Sequence, residues 1–186
     1  MLKQLSETLY KYAKGWLILF FLVCDVIFNT VILPAQQAKI EVSSGGAGPI
    51  DLLFFYTPDK VYSMIEAYGQ AGRADYRLFE LTGDIIYPIV YTLLFSLLLS
   101  WLFQRGFPTN SLMRRYNTLP FGAWLFDLLE NIGIVSMLSI YPSTPSMLAW
   151  LTALFTLIKW LFAGASLVLM LIGLIKAASN RFKVQT

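Results

Sequence analysis

Asp127, Glu130 and Asn131 stand at i, i+3 and i+4 in an otherwise apolar stretch, so a helix there carries two carboxylates and an amide on one face. Lys159 sits in a second apolar stretch and is the natural partner of Glu130. Asp25 and Asn29, one turn apart, occupy a third. With one membrane boundary near Pro120, Asp127 lies about 10 Å deep and Glu130 and Asn131 about 15 Å, while Lys159 lies about 18 Å below the opposite surface. These groups can meet near mid-membrane if their faces turn inward. Asp25, Asp127 and Glu130 then set three potential negative charges against Lys159 alone, so one or two acids should keep a proton unless a cation is present. A neutral acid beside a carboxylate and an ammonium can give and take protons, which suits acid/base work, a proton relay or capture of an amine. Asp127, Glu130 and Lys159 are the candidates for catalysis; whether the chain is an enzyme is left open.

A further polar face begins at Asp84, with Tyr87, Pro88 and Tyr91 at i+3, i+4 and i+7. Pro88 cannot donate to the carbonyl of Asp84, so a helix there should kink and leave that carbonyl free. Asp84 is expected near the outer rim of the membrane. The expected ligand-binding set is therefore Asp25, Asn29, Asp84, Tyr87, Tyr91, Asp127, Glu130, Asn131 and Lys159.

The elements that must hold these residues follow from composition. Of 186 residues 57% are apolar and 13% charged, with a mean hydropathy of +0.63, which is wrong for a soluble domain of this length. The expectation is an all-α integral membrane protein in one domain. Four windows reach the roughly 20 apolar residues that a span needs: Gly15 to Leu33, Gly83 to Phe103, Pro120 to Ile140 and Met147 to Ile175. The first is read as a span and not a signal peptide, because the run is too long, holds Asp25 and lacks a good cleavage site. Lys3, Lys11 and Lys14, then Arg105, Arg114 and Arg115, then Lys176, Arg181 and Lys183 fall in alternate connections. The positive-inside rule then puts both termini in the cytoplasm of a plasma or inner membrane. The pI near 9 is topology and does not imply nucleic acid.

The outer loop from Pro34 to Thr82 has structure of its own. Ser43, Ser44, Gly45, Gly46 and Gly48 read as a turn, and Asp51-Leu-Leu-Phe-Phe-Tyr56 is too short to span and too apolar for water. Thr57 and Pro58 read as the cap and first residue of an amphipathic helix with Val61, Ile65 and Tyr68 on one face. A second helical pattern starts near Asp75, with Arg77 and Glu80 expected as a surface pair.

The absence of histidine and the single Cys24 exclude a His/Cys zinc site, a Ser-His-Asp triad and dithiol exchange within the chain. Cys24 is read as a buried apolar filler. No phosphate loop or dinucleotide fingerprint occurs, so no cofactor is expected. No metal is expected either, with a hard cation such as magnesium or calcium on the carboxylates and Asn131 as the alternative. Four spans, inner termini, a long first outer loop and acids in the spans resemble the architecture of the emopamil-binding-protein group of sterol isomerases and sigma-2-receptor-like proteins, a likeness that carries no residue over. The leading expectation is a four-helix bundle that binds a hydrophobic or lipid-like small molecule, amine-bearing ones included. The alternatives are a proton- or cation-coupled channel or carrier, and a non-catalytic accessory or assembly subunit. The expected partners are the bilayer, such a ligand and, for a channel, further copies of the chain.

Overall fold

The computed structural model describes residues 2–183, the side chain of Lys183 excepted, so that basic residue lies outside the described side chains. The fold is 86% helix, with no strand among the described residues. In chain order the helices are α1 (Leu2–Tyr12), α2 (Gly15–Ile27), α3 (Leu33–Ser44), α4 (Pro58–Ala67), α5 (Gly69–Glu80), α6 (Gly83–Gly106), α7 (Pro120–Ile140) and α8 (Ser146–Lys183). Four helical runs, Gly15–Ser44, Gly69–Gly106, Leu112–Ile140 and Ser146–Phe182, are long and apolar enough to cross a membrane. Each exceeds its predicted window because polar flanking residues continue the helix.

The clearest extension follows the first window. A π-helical turn, Phe28–Ile32, joins α2 to α3, so Pro34 to Ser44 is helix where a loop was expected. Pro34 has no N–H for the carbonyl four residues back, and the chain widens by one residue just before it instead of stopping. Gly45 then ends α3 in the left-handed conformation at φ 65°, its N–H on the carbonyl of Glu41.

The chain divides into two compact units. The first comprises Met1–Asp25, Val90–Ala123 and Leu161–Thr186. In it Leu99, Leu102 and Phe103 form a small core, and Asn117 is buried with its amide on the Ser6 carbonyl and the Ser100 hydroxyl. Cys24 is only partly buried here, unlike the buried filler expected.

The second unit comprises Val26–Ile89 and Trp124–Trp160 and holds the larger core. Thr57 caps α4 as expected, its hydroxyl accepting from the Lys60 N–H at 3.3 Å, with Pro58 at the helix start. The apolar face of α4, Val61, Met64 and Ile65, with Tyr68 just past its end, packs on Ile134, Met137 and Leu138 of α7 and on Ala149 and Ala153 of α8. The amphipathic helix thus braces its own unit. Three tyrosines fasten the connections around it. Tyr76 donates to the Asp51 carboxylate at 2.5 Å and accepts from the Ile50 N–H, Tyr68 donates to the Gly48 carbonyl, and Tyr62 donates to the Pro145 carbonyl. Burial pushes the phenols of Tyr68, Tyr62 and Tyr56 above their ordinary range.

Candidate functional site

Lys159 comes from the 38-residue helix α8, and its face is set by Thr152 and Thr156, which lie seven and three positions earlier and are also buried. Its ammonium lies 2.5 Å from Glu130 and 3.2 Å from Asp127, and donates to the Asp51 carbonyl at 3.2 Å. An ammonium has three donors, and three acceptors surround this one. Thr156 completes the group by donating to the other oxygen of Glu130 at 2.7 Å. The expected pairing of Glu130 with Lys159 is therefore present, with Asp127 as a second counter-charge.

The unexpected member is the carbonyl of Asp51. Ile50 to Leu52 forms a short 3-10 turn with Ile50 buried, and Trp160 donates to the Leu53 carbonyl at 3.2 Å. Lys159 and Trp160 together tie this apolar stretch to α8, while the ring of Phe54 packs at a tilt against Trp160 and that of Phe55 against Trp150. The cation is thus used as a clasp.

A second polar group lies on α5, α6 and α7 of the same unit. Gly72, Tyr76 and Glu80 are buried at four-residue intervals along α5, and Asp84 and Pro88 continue the interval into α6. Glu80 is 1% exposed and Asp84 6%. The surface pair of Arg77 with Glu80 does not form, because the helix turns Glu80 inward and sends Arg77 to the Ser139 hydroxyl at 3.4 Å. Asp84 is likewise buried and not an ordinary residue of the rim. Pro88 frees the Asp84 carbonyl, as its ring chemistry requires, and the amide of Asn131 fills the gap by donating to it at 2.9 Å. That bond fixes which way the amide points. Asn131 Oδ1 is left buried without a hydrogen-bond partner, as are both carboxylate oxygens of Glu80.

Glu80 and Asn131 also line a cavity of about 320 Å³, together with Leu81, Ile85, Leu128, Ile132, Val135 and Ser136. Leu81, Ile85 and Ile132 are exposed apolar residues on its outer side. No family model, curated protein or solved structure matches this chain. The site must therefore be argued from its own geometry.

Of the predicted residues, Asp84, Asp127, Glu130, Asn131 and Lys159 fall together in the second unit. Asn29 belongs to that unit but pairs with the Tyr87 hydroxyl at 3.0 Å, with Phe28 stacked on the Tyr87 ring. Asp25 and Tyr91 lie in the first unit, where Tyr91 packs near Phe95. Glu80 and Asp51 are the residues that sequence reasoning missed. A signal for Glu80 existed, its four-residue spacing from Tyr76 and Asp84, but the break at Leu81 and Thr82 hides that stripe. For Asp51, whose backbone carbonyl makes the contact, no side-chain signal exists.

Proposed function

We propose that this protein binds a hydrophobic or lipid-like small molecule that enters the α5–α6–α7 cavity from the bilayer. The observation that carries the reading is a mainly apolar lining that includes Glu80 and Asn131, two buried side chains whose acceptor oxygens have no hydrogen-bond partner. A buried polar atom without a partner costs about 1–3 kcal/mol, so a ligand group that supplies the missing donors recovers that loss on binding. The volume is at the low end for small-molecule sites, which are about 300–1,000 Å³. It suits a polar head and the start of a chain, with the rest of the chain along Leu81, Ile85 and Ile132. The clasp of Lys159, Asp127 and Glu130 supports this reading by holding α7 and α8 in place, and none of the three is assigned a catalytic step.

The alternation of Lys3, Lys11 and Lys14, Arg105, Arg114 and Arg115, and Lys176 and Arg181 supports a multi-pass chain with both termini in the cytoplasm. The experiment that tests the ligand reading is native mass spectrometry of the protein in mild detergent. A bound amphiphile should appear with the wild-type chain and be lost from Val135→Trp, whose indole fills the cavity. Equal occupancy in both would refute the assignment of the cavity.

A further inference from the structure

We propose that the basic end of the first unit binds the phosphate headgroups of anionic phospholipids. That unit holds nine basic residues against two acids, Glu7 and Asp25. Its contacts gather most of the charge at one end. Gln104, near the end of α6, donates to the Tyr10 carbonyl at 3.0 Å. Tyr10 in turn donates to the Arg114 carbonyl at 2.6 Å, and the Arg114 guanidinium lies over the Tyr10 ring. At the same end of α6, Asn180 of α8 donates to the carbonyls of Arg105 and Gly106, and Gly106 faces the Cβ of Lys176. The ends of α1 and α6, the turn Leu112–Thr118 and the last stretch of α8 therefore meet. Lys11, Arg105, Arg114 and Lys176 come together with them.

No carboxylate answers this charge. Among the described residues the one ion pair of the unit joins Lys3 to Glu7, and Asp25 lies about 16 Å along α2 beyond Lys14. Arg105 and Arg114 rest on aromatic rings instead. The Arg105 guanidinium sits 3.8 Å from the centre of the Trp101 ring and gives one N–H to the Trp101 carbonyl, and an arginine has five. Donors are left over for a phosphate. The level is also that of headgroups, because the bases begin where exposed apolar surface ends. On α8, Leu171, Leu174 and Ile175 are exposed just before Lys176. On α2, Leu19 and Phe20 are exposed just after Lys14, with Trp16 exposed between. Tryptophan favours such a boundary, and each lysine or arginine beside it adds attraction to an anionic leaflet. The positive-inside rule asks only for basic residues somewhere in a connection. Their convergence on one helix end without carboxylates is what a lipid phosphate explains. A zwitterionic headgroup brings its own ammonium into the same excess, so the net-anionic lipid is selected.

The test is native mass spectrometry of the full chain in detergent, where insertion topology no longer bears on binding, with added dioleoylphosphatidylglycerol or dioleoylphosphatidylcholine. Phosphatidylglycerol should bind about tenfold or more tighter, the scale of a few bases near an anionic headgroup. That preference should shrink in about 1 M salt, where the screening length is near 3 Å. Lys11→Gln with Lys176→Gln removes two exposed bases and should cut the preference about fivefold or more. Arg115→Gln, also exposed, is a second variant and should act in the same direction. Lys39→Gln with Lys60→Gln, exposed in the second unit, should leave the preference unchanged, as should Val135→Trp. Equal binding of the two lipids by the wild-type chain would overturn the proposal. So would a preference that survives both sets of first-unit variants, or one that Val135→Trp removes, which would place the lipid in the α5–α6–α7 cavity. A short DNA duplex that binds this end when phosphatidylglycerol does not would give the surface to nucleic acid and overturn it too.

Discussion

Lys159 shows how one side chain can turn an excess of acids into a fold-holding contact. Removing it leaves Asp127 and Glu130 buried without their cation and releases the Asp51 carbonyl. Lys159→Met should therefore destabilise the protein by about 3 to 5 kcal/mol, read as a fall in unfolding midpoint in detergent. Adding Glu130→Gln should restore part of that loss, because one of the two stranded charges is gone. The tyrosines give a second residue-scale prediction. Tyr56 and Tyr68 are raised by burial above the ordinary value of 10.0. A group whose folded pKa exceeds its unfolded value contributes stability that is fully present below the unfolded pKa. Stability should therefore hold to about pH 10 and fall as pH rises further toward the folded values, and Tyr68→Phe should flatten that fall in an alkaline denaturation series.

At the scale of elements, caps and close approaches decide where helices begin and how near they come. Thr57 closes the start of α4, and Thr57→Ala should cost about 1 kcal/mol, measurable by chemical denaturation in detergent. Gly133 on α7 faces Thr152 on α8 so closely that an added Cβ would run into the threonine side chain. Gly133→Ala should destabilise by about 1–3 kcal/mol, and Thr152→Ala in the same chain should recover part of it. Pro88 acts on α6 without breaking it, since Gly83 to Gly106 remains helical and Asn131 replaces the lost donor. An element-breaking residue has become a device that orients a side chain on a neighbouring helix.

At the scale of the whole molecule, four long apolar helices are consistent with a multi-pass membrane protein. Exposed Leu19, Phe20, Leu167, Leu171 and Ile175 suit a hydrocarbon solvent, where burial of an apolar surface inside the protein is not demanded. If the alternation of basic residues governs insertion, a reporter fused to either terminus should read out as cytoplasmic. Replacing Arg105, Arg114 and Arg115 with glutamine should produce a mixed population in the same assay.

The sequence by itself determined the all-helical class, the four helices long and apolar enough to cross a membrane and the start of α4, because hydropathy over about 20 residues and the chemistry of Thr-Pro are local properties. It also paired Glu130 with Lys159, since depth along two helices can be counted residue by residue. Only the tertiary structure decided that the cluster closes on the Asp51 carbonyl, that Glu80 turns inward, and that Asp25 and Tyr91 lie in a different unit. Those outcomes depend on helix rotation and on where a loop's backbone falls, and periodicity in a span that is apolar on every side carries no signal for either. Asp127, Glu130 and Asn131 share a face, as their spacing requires. The structure divides their work, with the two carboxylates on Lys159 and the amide on the carbonyl that Pro88 left free.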